Sequence, residues 1–546
     1  MIKRNLIASL LLISLLVNAA DTKTFRITKN LSIFNSVFRE LDAFYVDTLD
    51  YDKMTNNAIN QMLSRFDPYT VYIPEKQTDD LKFMTTGEYA GIGALIGKNG
   101  KDIYVTEPYE GMPAQRNDIR AGDIILEVDG KNVSALSGSD GSALRKGTPG
   151  TTIRIKLQRI GYSKPLVKEF VREKIQMNPV TYSALVAPGV GFVQLSDFTD
   201  KSAMEIKLAV NDLIKKHQIE SLVLDLRNNG GGLIDEAVKI LGYFLPKGTE
   251  VVQTKGKLQS SDRVYKTPTE PLYPAMRLAV LVNRSSASAS EIVAGAVKDL
   301  DRGIIIGERT FGKGLVQSIR SVGYGGFLKV TTAKYYIPSG RCIQAIDYSH
   351  RNEDGSVGRV PDSLISEFKT KNGRIVRDGG GVEPDFLTTD NRKMNIAYYL
   401  YAQNLYFDYV NNFVPKNPTI ATPSEFKLSE NDFSNFKTYL VDKKFSYVTE
   451  SEKMFDEFME LAKSEGVDKY AGAEMDSLKI KLKPDIQKNI DANKGDIEEL
   501  LSLEIIKRYY FQKGEIEFSL KKDEELKMAI AKLTDITEYN TTLNIK

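Results

Sequence analysis

Two kinds of reactive side chain are nearly missing from this 546-residue chain. It has one cysteine, Cys342, and two histidines, His217 and His350. A single thiol excludes an internal disulfide framework, thiolate zinc clusters and Cys-x-x-Cys redox chemistry. Two histidines give little support to a His-ligated metal site or to His-based catalysis, so a hydrolase built on this chain needs another base. Net charge is missing as well: 74 Lys and Arg against 72 Asp and Glu leave +2. No field is available to gather nucleic acid, and no nucleic-acid partner is expected. With 19 prolines and 40 glycines, collagen-like and low-complexity architectures are excluded. The 42% hydrophobic and 27% charged residues are ordinary for a folded protein. At roughly 150 residues per domain, the length predicts about three to four domains.

A long hydrophobic run is the third absence. The apolar residues 6–17 number about 12, short of the ~20 that span a bilayer. Lys3 and Arg4 precede the run and Asn18-Ala19-Ala20-Asp21 follows it, the pattern of a cleaved signal peptide over residues 1–20. No cysteine follows for lipid attachment, and no later segment is apolar enough to cross a membrane. The mature protein is therefore expected to be exported, to a periplasm in the first instance, without a membrane span.

The texture then changes three times. Ile33, Phe34, Val37, Phe38, Leu41 and Phe44 follow helical spacing, as do Ile59, Met62, Leu63 and Phe66 before Asp67-Pro68. Residues 21–86 read as a helical region. Residues 87–175 read as a small β domain, with glycines, an Asp129-Gly130 turn and the alternation Ile153, Ile155, Leu157. Residues 176–390 repeat the order strand, loop, helix: an apolar run at 221–226, glycines at 230–232 and a helix-like 233–245. A second apolar run at 278–282, small polar residues and a helix-like 288–300 follow, then the strand 304–307. That order predicts an α/β core with buried parallel strands, and 246–276 a lid or hairpin. In 391–546 glycine is scarce and helices are expected, with 398–413 as an aromatic packing face.

Three stretches carry candidate chemistry. Ser285-Ser286-Ala287-Ser288-Ala289-Ser290-Glu291 lies between a strand and a helix. A serine there has its hydroxyl at a helix N-terminus, where developing negative charge is favoured; a plain polar cap is the blander reading. Thr310-Phe311-Gly312-Lys313-Gly314 presents a lysine between two glycines. A lysine at its ordinary pKa of about 10.4 is neutral in roughly one molecule in two thousand near pH 7. A base role needs an apolar pocket, which Phe311, Leu315 and Val316 could supply; a solvated or phosphate-binding lysine is the alternative. Asp225 to Gly232 offers glycine amides for an oxyanion nest; a tight turn, with Asp225 and Arg227 as an ion pair, is the alternative.

Together these stretches resemble the carboxy-terminal processing peptidases, or tail-specific proteases. The resemblance covers most of residues 35–390. It rests on Phe66-Asp67-Pro68-Tyr69-Thr70, Gly91-Ile92-Gly93, Gly111-Met112-Pro113-Ala114 to Gly122-Asp123-Ile124, Asp225-Leu226-Arg227-Asn228-Asn229 and the serine run. Thr310 to Gly314 with Gln317, Pro338-Ser339-Gly340-Arg341 and Gly381-Val382-Glu383-Pro384-Asp385 complete it. It implies a multidomain α/β protein: a helical N-terminal region, a PDZ-like β domain, a crotonase-like peptidase core and a mostly helical C-terminal region. It implies a serine endopeptidase with Ser288 as nucleophile, Lys313 as base and Gln317 orienting the lysine. Oxyanion donors would be the amides of Ala289 and of Gly231 or Gly232. The amides around Gly91, Ile92, Gly93 and Ala94 would hold a substrate's C-terminal carboxylate. No metal or organic cofactor is implied. The expected partners are proteins or peptides with exposed C-termini; an adaptor protein and an oligomeric state are left open. Cys342 stands where a small polar residue is expected.

Two other readings compete with this one. A non-catalytic PDZ adaptor would bind tails without turnover, although Ser288, Lys313 and Gln317 are all present. A penicillin-binding type acyltransferase would use Ser-x-x-Lys on a helix; Ser366 and Lys369 have that spacing, without the companion motifs. Residues 391–546 carry no recognised motif.

Overall fold

The computed structural model describes residues 23–78, 83, 85–100, 102–133, 147–389 and 394–545. The expected signal peptide and the expected boundary at 390/391 lie outside the described residues. The chain divides into two compact units.

One unit takes the chain up to Ile73 together with Ile319–Val330. Its helices are Lys23–Phe44 and Tyr51–Leu63. Asp50 caps the second by accepting from the Lys53 N–H at 3.0 Å, one of the orphan donors at a helix start. Asp67 closes the Asp-Pro turn by accepting from the Tyr69 and Thr70 N–H groups, each at 2.8 Å. The short strand Val71–Ile73 pairs antiparallel with residues 327–329. That strand lies within the stretch read as a helical region, and three residues are too few to show a period.

The other unit holds everything else. Its β domain is a sheet built on strands Ala94–Asn99, Asp102–Pro108, Ile124–Val128, Thr152–Gln158 and Leu166–Val171. Ile153, Ile155 and Leu157 are buried while Thr152 and Arg154 face out, the period-two pattern expected of a half-buried strand.

The α/β core is a six-stranded sheet in the order Val180–Ala187, Val190–Leu195, Ser221–Asp225, Arg277–Val282, Ile304–Gly307, Phe386–Leu387. The first pair is antiparallel and the other neighbours are parallel. Leu222 and Leu224 pack with Ile206, Ala237, Ile240, Ile292 and Val293 of the helices on one face. Val223, Ala279 and Leu281 point the other way. Covered on both faces, these strands read as unbroken apolar runs. The second cover comes from far along the chain: Leu526, Ala529, Leu533, Tyr539 and Leu543, on and just beyond helices Glu524–Thr534 and Ile536–Thr542. Residues 246–276 form a hairpin, Glu250–Gly256 against Arg263–Lys266.

Two of the motif runs serve the core. The Arg341 guanidinium and the Asp299 carboxylate, 1% and 0% exposed, pair at 2.9 Å, and Asp299 also accepts from the Ser339 N–H at 3.1 Å. Asp385 takes Lys298 at 3.0 Å and Arg374 at 2.6 Å. Replacing Asp299 with alanine leaves a buried guanidinium without its carboxylate and is expected to cost about 3–5 kcal/mol. A urea titration checks this; an unmoved midpoint would contradict it.

The C-terminal helices form their own core around Leu400, Val410, Phe436, Ile497, Leu501 and Ile505. Tyr406 and Phe436 stack there with ring centroids 5.4 Å apart, as a packing face. The same region meets the β domain: the rings of Tyr104 and Phe407 are 5.0 Å apart, and Lys507 pairs with Glu107 at 2.9 Å. Among the described residues no helix is long and apolar enough to cross a membrane.

Candidate active site

Three loops leave the carboxyl ends of three adjacent parallel strands, Ser221–Asp225, Arg277–Val282 and Ile304–Gly307. That end of an α/β sheet is where ligands bind. The loops are laced together. The Ala287 N–H donates to Asn229 O at 3.0 Å and the Phe311 N–H to Ser286 O at 3.0 Å.

The serine run is divided by role. Ser286 and Ser290 are fully buried; their hydroxyls donate to Leu226 O at 2.7 Å and Asn229 O at 2.9 Å. They pin the serine loop to the glycine loop. Ser288 is only half-buried and stands at the N-cap of helix Ala289–Asp299 with φ 57° and ψ −114°. A side chain in that region of backbone space is strained and persists where its surroundings over-determine it.

The glycine loop touches the same point. A Cβ on Gly231 would lie 2.7 Å from Ser288 Cβ and 2.8 Å from the Ala289 nitrogen, so only glycine allows the approach. Gly231 and Gly232 have φ +100° and +143°. Asn229 shapes the loop by accepting from the Gly231 N–H at 2.8 Å and donating to Leu195 O at 2.8 Å. The Gly231 amide is thus engaged in this conformation. Below it, Arg227 pairs with Asp225, Asp523 and Glu525, each at 2.7 Å. The ion pair read from the sequence is present, and two carboxylates almost 300 positions later complete it.

Glu291 joins the serine loop to the lysine loop. It is 0% exposed. Its carboxylate accepts from the Ser288 N–H at 2.9 Å, the Lys313 N–H at 2.9 Å, the Gly312 N–H at 2.7 Å and the Thr310 hydroxyl at 2.6 Å. Burial pushes its carboxyl up, and these donors act against the push. Lys313 is half-buried; Leu315 is buried, whereas Phe311 is 45% exposed, so of the three residues expected to wall the lysine, Phe311 is largely open to solvent. Gln317 is the third residue of the strand Leu315–Gly323, and its amide donates to Thr331 Oγ1 at 3.2 Å.

At the β domain's expected peptide-binding loop, Ile92 is 1% exposed. The carbonyls of Ile92 and Gly93 are tied back by the Ala114 N–H at 2.8 Å and the Tyr109 N–H at 2.9 Å. Gly93 has φ +72°, and a Cβ there would collide with Met112. Gly91 ends strand Glu88–Gly91 and Ala94 begins strand Ala94–Asn99.

The rival placements fare differently. Lys369 ends the strand Glu367–Lys369 that follows Ser366, so that pair does not lie on a helix. His217 is the exposed last residue of helix Ser202–His217. Sequence reading missed the roles of Glu291, Asn229, Asp523 and Glu525. For Glu291 the signal was present, since Ser288-x-x-Glu291 is a capping-box spacing.

The chain is similar to known proteins along much of its length. Peptidase family S41 matches residues 189–350, a PDZ domain matches 90–166, and a probable PDZ-protease C-terminal helical domain matches 396–533. The carboxy-terminal-processing protease of Bartonella bacilliformis is 36% identical over 342 residues, 62% of this chain and 76% of that protein. A probable CtpA-like serine protease of Staphylococcus aureus is 36% identical over 322 residues; the match spans 58% of this chain and 62% of that protein. The solved photosystem II D1 C-terminal processing protease is 31% identical, with a TM-score of 0.36 over 65% of this chain and 86% of that one. With its PDZ domain, its S41 core and a 36% identical relative matched over three quarters of its length, the chain belongs to the carboxy-terminal-processing proteases of peptidase family S41, which are serine-type peptidases.

Proposed function

We propose that this chain is an exported, periplasmic serine endopeptidase that selects proteins by their C-terminal tails and cleaves them with a Ser288–Lys313 dyad. The observation that carries the reading is the junction at Ser288. Gly231 abuts Ser288 and Ala289, and one carboxylate, Glu291, holds the N–H groups of both Ser288 and Lys313. The segments proposed to supply nucleophile, base and oxyanion donors therefore meet at one place.

In the proposed reaction the neutral Lys313 amine takes the Ser288 hydroxyl proton as Oγ attacks the scissile carbonyl carbon. The C–O bond forms and the carbonyl π pair moves to oxygen. The oxyanion is received by the Ala289 amide at a helix N-terminus and by Gly231 or Gly232, of which Gly231 must first release Asn229. The ammonium of Lys313 gives its proton to the leaving amine as the C–N bond breaks. Water then cleaves the acyl ester by the same route in reverse. Gln317 orients the lysine. The PDZ loop at Gly91, Ile92, Gly93 and Ala94 takes the terminal carboxylate, with the tail added as a strand along the groove. Delivery by an adaptor and assembly into an oligomer are compatible with this scheme and are not required by it.

The test is cleavage of a small unfolded protein with an apolar C-terminal tail by the mature chain, beside Ser288→Ala and Lys313→Ala. Each variant is expected to lose activity by about 10³-fold or more with its fold intact. Cleavage by Ser288→Ala would overturn the assignment, and tail binding by a wild type that never cleaves would favour an adaptor.

A further inference from the structure

Resting on the Ser-Lys reading above, we infer that Tyr335 and Glu291 are a paired positioning device: one meets the carbonyls and the other the N–H groups of Ser288 and Lys313, and together they set the gap the proton crosses. Glu291 takes the two N–H groups, each at 2.9 Å. The Tyr335 hydroxyl faces the two carbonyls, Lys313 O at 2.6 Å and Ser288 O at 3.2 Å. With one proton to give, Tyr335 bonds chiefly to Lys313 and secondarily to Ser288. Two side chains thus address the same two residues, one through donors and one through acceptors.

Each half of the device is itself fixed. Tyr335 is 1% exposed, and its own N–H donates to Gly314 O at 3.0 Å, so its ring is anchored to the lysine loop. Glu291 is held by Thr310 and Gly312, and Thr310 in turn accepts from the Val382 N–H at 2.7 Å. Neither loop needs a buried carboxylate merely to turn, and burying one is costly. Ser288 does need holding: its φ of 57° is a conformation the chain abandons unless its peptide groups are tied. A displacement of about 1 Å between reacting groups costs on the order of 100-fold in rate. A device that holds both residues acts on kcat and leaves tail binding alone.

The experiment is steady-state cleavage of the tailed unfolded substrate by the full mature chain carrying Tyr335→Phe or Glu291→Gln. Melting temperature and the rate of Ser288 labelling by a fluorophosphonate are measured on the same samples. Tyr335→Phe removes one hydroxyl and keeps the ring. It is expected to lower kcat about 10- to 100-fold with KM within about twofold, and to slow labelling in step. Glu291→Gln replaces one acceptor oxygen by an NH₂ group facing N–H donors, and a larger fall is expected. If Glu291→Gln does not fold, Tyr335→Phe decides alone. A Tyr335→Phe enzyme with kcat within about twofold of wild type, a loss confined to KM, or a loss that tracks the unfolded fraction overturns the inference. Ser288→Ala and Lys313→Ala in the same assay separate the two layers. If they still cleave, the dyad itself is wrong; if they are silent while Tyr335→Phe is unimpaired, only the positioning device is wrong.

Discussion

Gly231→Ala is expected to abolish turnover in a protein that still folds. The new methyl would sit 2.7 Å from Ala287 O, 2.7 Å from Ser288 Cβ and 2.8 Å from the Ala289 nitrogen. Two of these are backbone atoms and the third is the root of the side chain of Ser288, the proposed nucleophile, so nothing flexible can give way. The φ of +100° adds strain for any residue with a Cβ. Either the glycine loop withdraws or Ser288 is displaced, and each outcome separates groups that must meet. On the proposed roles, loss of one oxyanion donor costs about 10²–10³-fold, and displacement of Ser288 adds to that, so a fall of about 10³-fold or more is expected. Gly230→Ala is the comparison, because a Cβ there meets nothing within 4 Å; its loss should be much smaller. Single-turnover cleavage and melting curves of both variants test this. Near-normal turnover by Gly231→Ala would show that the loop does not lie where the site needs it.

Removing residues 523–546 is expected to unfold the peptidase core, although these residues lie far beyond the catalytic motifs. They cover one face of the central sheet, where Leu526, Leu533, Tyr539 and Leu543 meet Phe192, Val223, Leu281, Ile304 and Ile306. At roughly 1.5–3 kcal/mol per large apolar side chain, those four alone contribute about 6–12 kcal/mol. A typical domain has only about 5–15 kcal/mol in total. The Tyr539 hydroxyl also accepts from the Leu278 N–H at 3.1 Å, and Asp523 and Glu525 hold Arg227 under the glycine loop. Soluble yield and the melting curve of the truncated chain check the expectation. A folded, active product would mean that this cover is dispensable.

Much of the site was open to sequence reading because it is built from short, local signals. A strand followed by Asn-Asn-Gly-Gly-Gly, a strand followed by alternating serines, and a lysine between glycines each fix one loop at one end of one sheet. The parallel core was legible for the same reason: strands buried on both faces read as unbroken apolar runs. The partner of that second face was not, because nothing near Val223 in sequence points to Leu526. Tyr335 was illegible too; on the strand Gly326–Tyr336 a tyrosine fits the pleat like any other, and only the fold brings its hydroxyl to two carbonyls. The strand Val71–Ile73 was lost in a helical region because its partner, residues 327–329, comes some 250 positions later.

The most direct test of the account is whether one serine and one lysine carry the cleavage. The mature chain, Ser288→Ala and Lys313→Ala are each incubated with a small unfolded protein ending in an apolar tail, and its loss is followed alongside circular dichroism of each enzyme. Cleavage by the wild type and none by either folded variant is the expected result. Cleavage that survives Ser288→Ala, or a lysine variant as fast as wild type, would contradict it.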